Sequence, residues 1–282
     1  MLEIKNLNKS FGGKAVLADL NYSFDNGIYG ILAPNGAGKT TLLRCITGIY
    51  KEGRKTVFYN NDLLVKIKDY NKIIGYLPQH FGLFKNLSVF DALTLIANFK
   101  GLDKKSSRDN IYNCLEVVNL SSEVNKKVRA LSGGMLRRLG IACALLGDPN
   151  VILLDEPTAG LDPEERIRFK NIISSLSKDK TVILSTHIVE DVEALCDEII
   201  IMKKGEIITS GTCEQIRESA NGKVFFVPEE ILKKGNSKYY VLSKSIMNGT
   251  NYVRILSSEF AKPEFAVSPT VEDGYMCIIE ND

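Results

Sequence analysis

The chain has 282 residues, 44% hydrophobic and 25% charged, and its 36 Lys and Arg against 34 Asp and Glu leave a net charge of +2. This composition excludes a disordered chain, a collagen-like repeat and a disulfide-stapled miniature fold, and the balanced charge offers no basic surplus to a nucleic-acid backbone. At about 150 residues per domain the length gives one large or two ordinary domains.

From the start to about residue 26, near-alternating apolar positions (Leu2, Ile4, Leu7, then Val16, Leu20, Tyr22, Phe24) are broken by Gly12-Gly13 and Asn26-Gly27 and predict antiparallel strands. Gly27 to Ala33 is a short apolar run ending in a Gly-rich turn, followed by Leu42, Cys45, Ile46 and Ile49 at helical spacing, which reads as strand, loop, helix. Ile73 to Leu77 predicts another strand. Residues of about 85–147 read as a helical subdomain with breaks at Gly101 to Asp103 and Leu131 to Gly134. Val151 to Asp155 and Thr181 to Thr186 predict strands on either side of a helix that opens with Asp162-Pro163-Glu164-Glu165, hence a parallel pair. Glu198 to Thr209 predicts a hairpin turning at Lys204-Gly205, and a domain boundary is expected near residue 220. Beyond it, the runs Val224 to Val227, Tyr239 to Leu242, Tyr252 to Leu256 and Met276 to Ile279 predict a small strand-rich appendage, with seven Lys and Arg against eight Asp and Glu in residues 223–282.

The six cysteines (Cys45, Cys114, Cys143, Cys196, Cys213, Cys277) show no C-x-x-C pair, as expected of reduced thiols. The opening residues do not form a basic-then-apolar leader, and runs such as Leu139 to Leu146 fall short of the roughly 18 residues a spanning helix needs. The expectation is a cytoplasmic chain for which any membrane span belongs to another protein.

Between strand and helix lies Ala33-Pro34-Asn35-Gly36-Ala37-Gly38-Lys39-Thr40-Thr41, which matches the phosphate-binding G-x-x-x-x-G-K-[ST] loop except that Ala33 stands at the first glycine. Gly36 and Gly38 let the backbone turn its amides toward a phosphate, and the helix that follows adds its positive dipole end. Lys39 neutralises β and γ oxygens, and Thr40 supplies a hydroxyl to Mg²⁺. Farther on, the apolar strand Val151 to Leu154 ends in two acids at a sheet edge, where α/β proteins bind ligands. Asp155 is the expected metal carboxylate, and Glu156 the base that takes a proton from the water attacking the γ-phosphate. His187 follows Glu156 by 31 residues at the end of the next strand, placed to touch a γ-phosphate oxygen or to fix the base; a structural role is its competing reading. Ser132, Gly133 and Gly134 open the helix Met135 to Leu146 and form a second anion site of the same physical kind, so two anion sites in one chain invite a dimer.

Leu131-Ser132-Gly133-Gly134-Met135 resembles the signature motif of the ATP-binding cassette (ABC) ATPases, with Met135 where that family usually has glutamine. The resemblance covers about residues 1–220 and takes in the motifs in order: the loop at 33–40, Gln79 as Q-loop, the signature, Asp155-Glu156, Asp162 of the D-loop and His187. It implies a P-loop α/β fold of ABC type, with a mixed central sheet, an antiparallel β-subdomain and a helical subdomain. It also implies Phe11 stacking on adenine, with core packing as the alternative, and Gln79 as a third metal-side residue, with a polar turn residue as the alternative. In that family each ATP is held between one subunit's loop and the other's signature, so the expected state with MgATP is a homodimer or a paired ATPase. The partner implied is a separately encoded transmembrane permease, received by the segment His80 to Phe99, which would place the chain on the inner face of the membrane.

Residues 269–275, Pro-Thr-Val-Glu-Asp-Gly-Tyr, resemble the tail of single-cassette exporter ATPases of drug, antibiotic or peptide efflux. Two rivals are a cytosolic non-transport ABC ATPase working on ribosomes or DNA, and a nucleotide sensor that does not hydrolyse. The sensor would lack a base or metal ligand, whereas Glu156, Asp155 and Thr40 are all present. No Asn-Lys-x-Asp element appears, so ATP is expected over GTP, and no nucleic-acid partner is expected. The basic clusters Lys104-Lys105, Lys126-Lys127-Arg129 and Arg137-Arg138 read as solvated helix faces, with interfacial or headgroup contacts as the lesser option.

Overall fold

The computed structural model describes residues 1–176, 179–232, 238–260 and 262–281, with backbone alone at 104, 105 and 281. The chain forms two compact units, Met1–Ile207 and Ile208–Asp282.

In the first unit, β1 (Leu2–Phe11) and β2 (Lys14–Phe24) form a hairpin through Gly12-Gly13, pairing Leu2 with Phe24 and Phe11 with Lys14. Next come β3 (Gly27–Leu32), α1 (Lys39–Ile46), α2 (Gly53–Thr56), β4 (Val57–Tyr59) and β5 (Asp62–Leu63). Strands β4 and β5 complete an antiparallel sheet of order β2-β1-β4-β5. These two short strands follow no alternating run long enough to be read from sequence. The alternating apolar residues of β1 and β2 point into one core, where Leu2, Ile4, Leu7, Leu20 and Phe24 are buried together with Leu42 and Leu43 of α1.

After α3 (Tyr70–Ile73) come β6 (Ile74–Leu77), α4 (Val89–Phe99), α5 (Lys104–Val117), α6 (Gly133–Leu145), β7 (Val151–Asp155), α7 (Pro163–Leu176), β8 (Thr181–Thr186), α8 (Val189–Leu195) and β9 (Glu198–Lys203). The two-residue turn Lys204-Gly205, both at positive φ, connects β9 to β10 (Glu206–Gly211), the strand in which the two units divide. The central sheet has the order β10-β9-β3-β8-β7-β6. Its strands β9, β3, β8, β7 and β6 run parallel, in a register that sets Leu32 beside Thr186, Asp155 beside Ser185 and Leu77 beside Leu154. The loops leaving β3, β6, β7 and β8 therefore emerge along one edge. Ser88 caps α4 by accepting from the Asp91 amide at 3.0 Å, and Asp162 caps α7 by accepting from the Glu165 amide at 2.9 Å. The last turns of α6 lie on the sheet itself: a β-carbon at Gly75 would stand 2.1 Å from the Ala144 carbonyl oxygen, so only glycine permits this approach.

The second unit contains α9 (Cys213–Glu218), β11 (Val224–Pro228), α10 (Glu229–Leu232), β12 (Tyr240–Met247), β13 (Thr250–Leu256) and α11 (Val271–Asn281). The strands form an antiparallel sheet of order β11-β13-β12. The compact units divide at Ile207 and Ile208, and in the second, α9 packs against α11: a β-carbon on Gly274 would strike the Ile216 carbonyl, and the Cys277 thiol donates to Ser219 O. One feature corrects the sequence reading. Met276 to Ile279 is helical rather than a strand, because Thr270 caps α11. Its hydroxyl accepts from the Asp273 amide at 3.2 Å, while Asp273 Oδ2 accepts from the Thr270 amide at 2.6 Å.

Among the described residues no cysteine forms a disulfide; Cys45, Cys114, Cys143 and Cys277 are buried. Among the described residues no helix is long and apolar enough to cross a membrane. The Lys104-Lys105 cluster lies outside the described side chains.

Candidate active site

The strand β3 carries buried apolar residues up to Leu32, and Ala33 behind it is fully buried. Ala33 is absent from the positive-φ residues, so the β-carbon that departs from the glycine pattern is accommodated without backbone strain. Gly36 and Gly38 do occupy the left-handed region, at φ +82° and +106°. At Gly38, the N-cap of α1, a β-carbon would sit 2.9 Å from the Val16 carbonyl oxygen. The turn therefore folds tightly back over β2 before the helix begins.

Lys39 is buried and its ammonium donates to Ala33 O at 2.8 Å and Pro34 O at 3.4 Å. It also forms an ion pair with Glu156 Oε1 at 3.1 Å. The second oxygen of Glu156 lies 3.0 Å from His187 Nδ1, so the Lys39 and His187 side chains flank the same carboxylate. Glu156 is itself in the left-handed region, at φ +46°, and its amide donates to Ser185 O at 3.0 Å. Such a backbone costs about 1–3 kcal/mol and persists where its surroundings determine it.

The neighbouring Asp155 is fully buried and its Oδ1 accepts from Thr40 Oγ1 at 3.0 Å and from Ser185 Oγ at 2.7 Å. Tyr76 lies 3.5 Å from its other oxygen; burial, then the Asp155 charge, push the phenol up to about 12. Ser185 and Tyr76 were not singled out from sequence. The available signal was a polar residue in the fully buried strand β8.

A cleft of about 460 Å³ opens here, lined by Phe11, Asn35, Gly36, Thr41 and Gln79 along with Lys39, Thr40 and Glu156; Asp155 and His187 stand behind that lining, in contact with Thr40 and Glu156. Phe11 is 43% exposed at the rim, edge-on to Tyr50 and under the Lys9 ammonium at 4.5 Å, rather than packed in the core. Pro34 and Ala37 are joined by a hydrogen bond inside the turn. Ser132 and Gly133 are exposed at the start of α6, and neither they nor Gly134 belong to the cleft lining. Ser132 Oγ accepts from the Met135 amide at 3.2 Å, which leaves the preceding turn's amides for another acceptor.

The Arg137-Arg138 pair is not a solvated face. Arg138 is buried, pairs with Glu165 at 3.0 Å and donates to Val118 O and Asn119 O. Arg137 sends its guanidinium to the carbonyls that follow β6 and β7; burial, against the pull of Asp155 and Glu156, lowers its pKa from the ordinary arginine value.

The family model for ABC transporters matches residues 17–159. The chain belongs to the ABC transporter family. It is 34% identical over 226 residues to the uncharacterized ABC transporter ATP-binding protein YxlF of Bacillus subtilis, covering 80% of this chain and 75% of that one. It is 36% identical over 262 residues to the methionine import ATP-binding protein MetN of Clostridioides difficile, covering 88% and 81%. It is 34% identical over 224 residues to the Nod factor export ATP-binding protein I of Burkholderia orbicola, covering 78% and 74%. Among solved structures, an ATP-binding subunit of an ABC transporter superposes with TM-score 0.69 at 28% identity, over 77% of this chain and 92% of that one. The dimeric cassette MJ0796 gives TM-score 0.65 at 27% identity over 75% and 98%, and so does its post-hydrolysis dimer bound to ADP and Pi. The chain is thus an ATP-hydrolysing ATP-binding subunit of the ABC transporter type, with the α/β fold of these cassettes.

Proposed function

We propose that two copies of this cassette, or one copy and a paired ATPase, close around two ATP, each held between one copy's Lys39 turn and the other's Ser132 cap, and that hydrolysis drives a separate membrane permease. The observation that carries this reading is the single edge on which Lys39, Thr40, Asp155, Glu156 and His187 meet through contacts of about 3 Å, with the Ser132 cap outside that cleft. The similarity to a cassette solved as a dimer and with ADP and Pi supports it.

In this mechanism Phe11 borders the base, and the amides of the Gly36 to Gly38 turn and the Lys39 ammonium hold the phosphates. Glu156 takes the proton of the attacking water, and His187, in contact with Glu156, holds the carboxylate or meets the γ-phosphate. Thr40, Asp155 and Gln79 offer an all-oxygen donor set of the kind Mg²⁺ prefers, so these residues fit that ion. Bound there, it supplies neutralisation of phosphate charge.

For the permease, the cassette offers a groove of about 450 Å³ lined by Tyr70, Pro78, His80, Phe81, Leu83 and Phe99. Phe99 is 73% exposed and Phe84 64%. An apolar surface of this kind suits a partner helix. The direction proposed is export of a drug, antibiotic or peptide, supported by residues 269–275 and by the Nod factor export relatives. The chain would then work at the inner face of the cell membrane. Affinity purification should recover a polytopic membrane protein, and the pair reconstituted in vesicles should extrude substrate from the side bearing ATP. Recovery with ribosomes, or uptake in place of extrusion, would overturn the corresponding part of this reading.

A further inference from the structure

Arg137 lies in the second turn of α6, five residues after the Ser132 cap, and its guanidinium has five N–H donors. All five are used on backbone carbonyls. Nε donates to Pro157 O at 2.9 Å, and Nη1 donates to Pro78 O at 3.1 Å and Gln79 O at 2.9 Å. Nη2 donates to Asp155 O at 2.9 Å and Glu156 O at 2.7 Å. Three separate pieces of chain therefore meet on one side chain: the signature helix, the loop that carries Gln79, and the turn that carries Asp155 and Glu156.

The geometry explains why this position needs a fixed fork rather than a point charge. The five acceptors come from two neighbouring strand ends, and only a planar guanidinium presents enough donors in rigid directions to satisfy them together. The Glu156 backbone is in the left-handed region at φ +46°, and its carbonyl receives the shortest of the five bonds. Holding that carbonyl, together with those of Asp155 and Pro157 on either side, fixes the backbone from which the Glu156 carboxylate reaches Lys39 and His187. Arg137 itself touches neither carboxylate among its hydrogen bonds and is absent from the cleft lining.

We propose that Arg137 is a positioning residue for hydrolysis, locking the base Glu156 and the Gln79 loop to the helix that presents Ser132, so that the base is held in reactive geometry only while α6 is in place. This rests on the reading of Glu156 as the base. A displacement of about 1 Å in a reacting group can cost on the order of a hundredfold in rate.

The test compares Arg137→Lys, with three donors on a flexible stem, and Arg137→Gln in the full chain, each alone and combined with Glu156→Gln. Rates are expressed per site competent to bind a non-hydrolysable ATP analogue, so loss of folded protein does not enter. Each Arg137 variant is expected to lower kcat by about ten- to a hundredfold with KM for ATP within about twofold, Lys less than Gln. In the Glu156→Gln background the same substitutions should lower kcat by less than about twofold, because a residue acting through the base has nothing further to disturb. Unchanged kcat, a matching rise in KM, or equal losses in both backgrounds would overturn the proposal while leaving Glu156 as the base. A Glu156→Gln enzyme at wild-type rate would overturn both readings together.

Discussion

Glu156→Gln isolates the chemistry of the proposed base. The substitution keeps the shape of a buried side chain and removes its charge, while Lys39 retains the Ala33 and Pro34 carbonyls and His187 faces an amide in place of a carboxylate. Loss of one charged hydrogen bond costs about 1.5–3 kcal/mol, which a cassette with an intact core should survive folded. Loss of the base should slow hydrolysis by about 10² to 10⁴, or roughly 3–5 kcal/mol of barrier. Binding should move the other way, because the Lys39 ammonium, 3.1 Å from Glu156, no longer divides itself between a carboxylate and the phosphates. Relief of that competition should tighten ATP by about tenfold. The assays are phosphate release, nucleotide titration, and size-exclusion chromatography with and without ATP, where the variant should elute as an ATP-bound dimer. Wild-type turnover together with a monomer under those conditions would refute the assignment.

Lys39→Ala should weaken ATP by about ten- to a hundredfold, the equivalent of one charge-assisted bond to phosphate, and unchanged affinity in the titration would count against the turn as the phosphate site. Gly38→Ala asks a β-carbon to share space with the Val16 carbonyl and the Leu17 side chain at φ +106°; a thermal melt should show a loss of at least about 1–3 kcal/mol, with nucleotide binding impaired. In the second unit, burial raises the Asp273 carboxyl, but its Arg254 partner and the Thr270 amide and hydroxyl outweigh that and hold it below the ordinary value. A carboxyl depressed in the folded state stabilises above the unfolded pKa of about 4, and that stabilisation disappears as pH falls through the folded pKa. Asp273→Asn should therefore cost about 3 kcal/mol at pH 7 and flatten the acid limb of stability, read by hydrogen exchange over residues 240–281 of the full chain. Equal acid sensitivity in both proteins would contradict this.

The parallel arrangement was legible because its strands are buried on both faces and read as short runs of Val, Ile and Leu, ending in residues whose chemistry cannot be apolar packing: Asp155, Glu156 and His187. Once the strands at 151–155 and 181–186 are parallel neighbours, their ends must share an edge, and the distances between Glu156, His187 and Lys39 follow from register. The strands at 57–59 and 62–63 were not legible, since two or three residues carry no measurable alternation and depend on pairing with β1. Residues 276–279 misled for a different reason. Cys-Ile-Ile suits a strand, whereas the helix is set upstream by the Thr270-x-x-Asp273 cap, a four-residue signal outside the apolar run itself.

At the site, sequence reading singles out the charged groups whose motifs point to a ligand and passes over those that serve the backbone. Lys39 and Arg137 are both cations near the same pair of acids, yet only Lys39 sits in a motif whose glycines announce a phosphate. Arg137 stands on a helix beside a second arginine, where charge patterning favours a solvated face. What decides its role is the place at which two loops from distant parts of the chain, after Leu77 and after Leu154, bring five carbonyl oxygens within reach of it. Carbonyl acceptors have no residue signature, so a cation that serves them is invisible until the sheet order is known. The same physics makes the position demanding. With all five donors engaged, removal of the fork leaves half-buried carbonyls to find other partners, and they belong to the residues that would hold the metal and the attacking water.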